Sequence, residues 1–287
     1  MDKTASLSPF ILSVVKDKGT EKPFSGEYDQ LGGDGSYLCR RCGLALYRSS
    51  DKFHSGCGWP SFDEEVSGAI RRIPDEDGRR TEICCERCLA HLGHVFTGEN
   101  FTNKNTRHCV NSLSLDFVAD KTVTDTEEAI YAAGCFWGVQ HYLDQLPGVL
   151  MTEVGYTGGE RPSPTYEQVC SGATGHFEAV RVIYDPQKIN FEALTKFFFE
   201  IHNFSQNNGQ GPDIGSQYLS AIFYYNEAQK KQAESVIAEL KAKGFNVSTN
   251  ILPVKTFWRA EGYHQQYYAK HQGSPYCHQH TKIFTLK

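Results

Sequence analysis

Two cysteine pairs, Cys39-Arg40-Arg41-Cys42 and Cys85-Glu86-Arg87-Cys88, stand about forty residues apart and constrain the fold of this chain more than any other feature. Four thiolates in two CxxC knuckles suit a tetrahedral zinc ion. A closed four-sulfur shell is structural and leaves no coordination position open for chemistry. A redox pair is the competing reading. Cys84 adjoins Cys85 and competes as a ligand, but only Cys85 gives the CxxC spacing. Metal here substitutes for apolar core in a small β domain, so chelation is expected to loosen it.

Seven of the ten cysteines fall between Cys39 and Cys109, and the other three are Cys135, Cys170 and Cys277. The stretch PFILSVV, followed by Lys16-Asp17-Lys18, reads as a packing helix and not as a cleaved leader. So many cysteines without a leader point to metal ligands and reactive thiols in a reducing compartment, with the cytoplasm as the expected location. The sequon at Asn246-Val247-Ser248 is then expected to be idle. No run approaches the roughly 18 apolar residues of a membrane span. The net charge of −5, without a strongly basic run, gives no nucleic-acid footprint.

At 287 residues the chain is long enough for two domains. The polar stretch ADKTVTDTEEA separates a cysteine-rich part from one of different texture, so the expected division is 1–119, a linker over 120–128, and 129–287. The first part has turn residues and short strand-like runs such as SLSLDFV, which predicts a mainly-β, zinc-bearing domain. The second alternates. AIYAAG, VRVIY and AIFYY read as strands, and the segments after Cys135, over NFEALTKFFFEIH and over NEAQKKQAESVIAELKAKG read as helices. Pro147-Gly148 is placed to end the first helix, Asn190 to cap the second and Gly244 to stop the third. An α+β domain follows, a mixed sheet with flanking helices.

In AIYAAGCFWGVQHYLDQLPGV, Cys135 is the best candidate nucleophile. At a helix N-terminus, unpaired N–H groups and the dipole favour thiolate over thiol. Phe136 and Trp137 beside it form a candidate aromatic cup for a soft sulfur and its methyl group. A buried cysteine in a tight strand-to-helix turn is the plainer alternative. Glu178, in GHFEAVRVIYD, begins a strand within an apolar segment, where a carboxyl has its pKa raised and can act as an acid. Tyr166, Asp213 and Tyr218 add polar groups in turn-rich stretches, each by itself more readily structural.

These residues carry a resemblance. GCFWG, GYTGG, PTYEQVCSG, TGHFEAV, DIGSQY and EGYHQQYYAKHQGSPYC together resemble the methionine sulfoxide reductase A family. GTEKPFSGEY, CRRCG, KFHSGCGWPSF, CERCLAHLGHVF and RHCVNS resemble the B family, in order, so the chain looks like a B–A fusion. The resemblance implies repair of oxidised methionine, with the S-epimer of the sulfoxide reduced by the C-terminal domain and the R-epimer by the N-terminal one. In the former it makes Cys135 the attacker, Glu178 the acid, Tyr166 and Tyr218 oxygen-binding donors and Asp213 a supporting group. Phe136 with Trp137 forms the methyl pocket, and Cys277 is the resolving cysteine. Cys170 is expected to be buried and structural. In the latter it makes Cys109 the attacker, Cys57 the resolving cysteine and Trp59 the methyl pocket. His91, His94, Arg107 and Asn111 match pocket positions, with Glu82 as a possible support.

Each site would end its reaction as a disulfide. An external dithiol reductant is therefore required, and thioredoxin is the partner the families imply. Zinc is the implied metal, structural at Cys39, Cys42, Cys85 and Cys88, with no organic cofactor. The substrate is methionine sulfoxide, free or in oxidised proteins. The chain departs from the families at TGENFTNKNT, at His108, at Leu219 and at HNFSQNN. Two rival readings remain. A redox-responsive zinc-binding switch without turnover would use the same thiols, but needs no acid such as Glu178. A thiol hydrolase needs a histidine base beside its nucleophile and an oxyanion hole, and no recognised hydrolase pattern surrounds Cys135.

Overall fold

The first helix has its ends specified locally. Ser8 accepts the Ile11 N–H, and Pro9 fills the first turn, where a missing N–H costs nothing. Pro9–Val15 then buries Val14 and Val15. The computed structural model describes residues 7–75, 78–271 and 273–284. Packing divides the chain into two units, Met1–Thr126 and Glu127–Lys287.

Beyond its helix the first unit is strand and turn. Gly35–Cys39 lies between Ala45–Arg48 and Leu115–Ala119 in an antiparallel sheet. A second antiparallel sheet runs in the order Lys52–Phe53, Ser61–Phe62, Thr106–Val110, His91–Thr97, Thr81–Cys85, Ile70–Pro74. The two sheets meet through Phe62, on which Tyr47 stacks at 4.3 Å while Tyr37 meets it edge-on. The register sets Cys109 opposite Ser61 on one neighbour and His94 on the other. The cysteine strand is thus flanked by the segment that carries Cys57 and by the histidine strand.

In the second unit Glu127–Ala133 alternates across its sheet: Ala129, Tyr131 and Ala133 enter one core, Ile130 and Ala132 another. Its antiparallel neighbours are Phe177–Tyr184 and Ser220–Tyr224. Val149–Thr157 and then Trp258–Arg259 continue past the first of these, and Asn250–Pro253 pairs in parallel with the second. The sheet is therefore mixed. Helix Phe191–Glu200 has its cap in Asn190, whose side chain accepts the Ala193 N–H at 2.8 Å. Helix Glu227–Ala242 buries Ala233, Val236, Ile237 and Leu240 as its spacing dictates. Among the described residues no helix is long and apolar enough to cross a membrane.

Two expectations about this unit change. Helix Phe136–Leu143 ends before the Pro147-Gly148 pair that would have stopped it. The first strand takes up Glu127 and Glu128, which the composition alone places in the linker. The Glu128 carboxylate is buried against Arg181 on the adjacent strand and accepts the Tyr225 hydroxyl.

Candidate active sites and a candidate metal centre

Each CxxC pair closes a turn at a strand end, with the Gly43 and Leu89 N–H groups donating to the Cys39 and Cys85 carbonyls at 2.6 and 2.9 Å. The turns bring Cys39 Sγ to 3.6 Å from Cys88 Sγ and Cys42 Sγ to 3.5 Å from Cys85 Sγ, with all four sulfurs within 4.8 Å of one another. Zinc–sulfur bonds of about 2.3 Å in a tetrahedron give sulfur–sulfur edges of about 3.8 Å. The cluster fits such an ion almost as it stands. Cys84 faces elsewhere, donating to Glu82 Oε1 at 3.3 Å, and burial pushes its thiol up to about 12.

In the same unit the Cys57 and Cys109 sulfurs lie 3.9 Å apart. The hydrogen bond from Cys109, with the Ser55 hydroxyl at 3.0 Å, outweighs burial and holds Cys57 down to about 4. The same bond pushes Cys109 up, and burial adds to it. Of the two thiols, Cys57 is the one held down and Cys109 the one pushed up. Arg107 donates to Cys57 Sγ at 3.5 Å and grips Glu99 with two bonds of 2.7 and 2.9 Å, its guanidinium over the Phe96 ring. Glu99 belongs to TGENFTNKNT, so the departing loop does supply a polar group.

A cavity beside Cys109 is lined by Trp59, Arg80, His94, Phe96 and Asn111 among others. His94 Nε2 stands 3.3 Å from Asp75. The Asn111 carboxamide is engaged with the backbone, accepting the Glu21 N–H and donating to the Leu92 carbonyl. Glu21 in turn accepts the Trp59 indole N–H on its carbonyl at 3.1 Å, so Asn111 positions the aromatic wall. His91 stands back from the cavity, buried with Nδ1 at 2.7 Å from Glu82. His108 points to the opposite face of the strand, among Tyr47, Glu65 and Arg72, where burial pushes it down to about 4.

In the second unit Cys135 caps helix Phe136–Leu143 and is buried. Both glycines of GCFWG are required by space. Gly134 has φ +86°, and a Cβ there would meet Gln210 Cβ at 2.4 Å; a Cβ on Gly138 would meet His278 Nδ1 at 2.3 Å. Glu178 lies on the strand face that also carries Val180 and Val182, and its Oε2 accepts the Phe136 N–H at 3.1 Å. Burial, then the Cys135 charge, pushes this carboxyl well above the usual range against that single bond. It holds a proton where an ordinary glutamate has lost one.

The expected lowering of Cys135 is corrected. The Trp137 N–H does act in that direction, but hydrogen bonding to Cys277 and burial outweigh it and push the thiol up. Cys277 is itself buried, near enough to Cys135 to act on its ionisation. Burial also pushes the Tyr166 and Tyr218 hydroxyls up, the Glu178 charge adding to it, so both remain donors beside that carboxyl. Asp213 accepts from the Tyr276 hydroxyl at 3.1 Å, and its charge reaches both Cys135 and Glu178. Phe136, Trp137 and Tyr166 pack their rings around His264, which accepts the Trp137 indole N–H at 3.1 Å. Trp137 also stacks flat on Tyr267 at 3.8 Å.

Cys170 is a second correction: it is exposed, not buried, because the five-residue helix Tyr166–Cys170 ends at the surface. Three residues packed against the sites carried no separate signal. His264 sits within EGYHQQYY, His278 beside Cys277, and Glu99 inside a stretch notable only as a departure.

Residues 127–287 match the model of the peptide methionine sulfoxide reductase family, and residues 7–119 match that of the SelR domain. A peptide methionine sulfoxide reductase MsrA of Nautilia profundicola is 46% identical over 150 residues, covering 52% of this chain and 87% of that protein. One from Methanosarcina acetivorans is 50% identical over 147 residues, covering 50% of this chain and 78% of that protein. Among solved structures, the reduced form of Mxr1 from Saccharomyces cerevisiae aligns with a TM-score of 0.52 at 36% identity, over 55% of this chain and 93% of that one.

Proposed function

The chain belongs to the peptide methionine sulfoxide reductase family, with a SelR domain ahead of the matching half, and on that premise we propose how its residues divide the work. It is a thiol-dependent reductase of methionine sulfoxide acting on both epimers. The C-terminal site takes the S-epimer and the N-terminal site the R-epimer. One observation carries the reading of the former: a buried carboxyl, its pKa raised, meets the same helix N-terminus as a thiol that has a second thiol within reach.

In the C-terminal site Phe136 and Trp137 hold the methyl group, and Tyr166 and Tyr218 donate to the sulfoxide oxygen. Cys135 gives its proton up as substrate binds, and the thiolate attacks the sulfoxide sulfur. Glu178 protonates the oxygen, which is otherwise a poor leaving group. The sulfoxide gains two electrons and leaves as methionine, and Cys135 becomes sulfenic acid. Cys277 then closes a disulfide on it with loss of water. In the N-terminal site Cys109 attacks and Cys57 resolves, with Trp59 as the methyl wall. Arg107 and His94 face the oxygen, and Asn111 positions Trp59. His91 supports His94 from behind with Glu82. The residues present fit a structural zinc ion at Cys39, Cys42, Cys85 and Cys88, which ties two turns together and supplies folding energy.

Both disulfides need an external dithiol, for which thioredoxin is the proposed physiological source, in a cytoplasmic setting. Free and protein-bound sulfoxide both fall within the proposed substrates. The test of the thiol assignments is stoichiometry. Cys277→Ser should release one methionine per chain from an S-epimer peptide and then stall with thioredoxin, leaving Cys135 as a trappable sulfenate. Continued thioredoxin-supported turnover in that variant would remove Cys277 from the resolving role.

A further inference from the structure

His278 is absorbed by none of the roles above, yet it is buried beside Cys277 and its hydrogen bonds are directional. Nε2 lies 2.6 Å from the Ala133 carbonyl, which can only accept, so the ring proton is on Nε2. Nδ1 then carries a lone pair, and Cys277 Sγ lies 3.0 Å from it. We infer that His278 is the general base for disulfide closure in the C-terminal site, taking the Cys277 proton through Nδ1 as Cys277 attacks oxidised Cys135.

The surroundings keep the imidazole ready for this. The nearest glycine, Gly138, leaves room on the helix: any side chain there would strike Nδ1. The Tyr142 hydroxyl donates to the His278 carbonyl and anchors the chain at that point. Burial pushes the imidazole below its ordinary value, so it is the neutral, accepting form at neutral pH. The titratable groups that face it are Cys277 in contact, Asp213 through its negative charge, and His202, whose own ionisation a charged His278 opposes. In the reduced state Cys277 Sγ meets Nδ1 while Nε2–H donates to Ala133, so contacts at both nitrogens fix the ring.

The step balances. Cys277 S–H gives its proton to Nδ1, and the thiolate forms an S–S bond to Cys135 Sγ. The Cys135 S–O bond breaks, and the departing hydroxide takes the proton back from the imidazolium. Water leaves, the ring is neutral again, and the oxidising equivalents come from the sulfoxide already reduced.

This inference rests on Cys135 as attacker and Cys277 as resolving thiol, and its test separates the two readings. The full chain carrying Cys109→Ser, to silence the N-terminal site, is mixed with one equivalent of an S-epimer methionine sulfoxide peptide without reductant. Quench-flow then follows methionine release and disulfide formation separately. With His278→Gln, which preserves a donor but cannot take a proton, methionine release should stay near the parental rate. Disulfide closure should slow by about 10²-fold, within the usual span of general-base effects, and dimedone trapping of Cys135 should rise. In the parent, closure should be flat above the lowered imidazole value and fall below it; in the variant it should climb with hydroxide. Gly138→Ala, which keeps the imidazole but displaces it, should slow closure as well. Closure at the parental rate in both variants, or equal slowing of methionine release, overturns the inference. Failure of the His278-intact parent to release methionine instead overturns the reading beneath it.

Discussion

The Phe136 N–H donates to Glu178 Oε2 at 3.1 Å, joining the first turn of a helix to a strand residue forty-two positions later. That bond aims the carboxyl at the helix mouth where Cys135 sits, and burial keeps a proton on it.

Glu178→Gln should therefore lower S-epimer reduction by about 10²–10⁴-fold, the range of a lost general acid, with R-epimer reduction unchanged. Parental S-epimer activity should decline as pH rises through the raised value of this group. Stability has the same sign. A carboxyl raised on folding contributes most below its unfolded value, and the contribution is lost as pH climbs to the folded one. Melting followed from pH 4 to pH 9 should show that loss in the parent and a flatter profile in the variant.

Removal of zinc should act on one unit. Chelation, or Cys39→Ser, should lower the melting transition of the N-terminal unit and abolish R-epimer reduction, because the four sulfurs tie separate turns together. Metal analysis should give one zinc per chain, and S-epimer reduction should survive. Equal loss of both activities would contradict a structural role confined to that cluster.

The charge on Cys57 should be measurable by alkylation. Held near 4 by Cys109 first and by Ser55 and Trp59 contacts after it, Cys57 should react with iodoacetamide at a nearly constant rate from pH 6 to pH 8. Cys109→Ala removes the main donor and should shift that profile upward in pH. Glu99→Ala frees Arg107 and should weaken R-epimer reduction more than it shifts the profile.

Gly134→Ala tests the turn that presents Cys135. A non-glycine residue at φ +86° costs about 1–2 kcal/mol, and the new Cβ also meets Gln210. The C-terminal unit should melt earlier, and S-epimer turnover should drop further than stability alone explains.

Much of this is legible in the sequence. The cysteine knuckles, the Asn190 cap, the buried positions of Glu227–Ala242 and a strand over AIYAAG follow from spacing and local chemistry. The strands Val149–Thr157, Asn250–Pro253 and Trp258–Arg259 did not. The first carries threonine, glutamate and glycine among its apolar residues, and the other two are short edge strands whose existence depends on their neighbours. Cys135 and Glu178 were visible as types in a setting. The sign of the Cys135 shift was not, because it depends on a partner more than a hundred residues away. His278, His264 and Glu99 were hidden for the same reason: each acts through a contact that only the fold creates.

The proposed division of labour places two independent reductases on one chain, each with its own attacking thiol. The direct measurement is reduction of resolved S- and R-epimers of a methionine sulfoxide peptide with dithiothreitol, for the parent, Cys135→Ser and Cys109→Ser in parallel. Cys135→Ser should lose only the S-epimer activity and Cys109→Ser only the R-epimer activity. A parent that consumes neither epimer, or a single substitution that abolishes both, would contradict it.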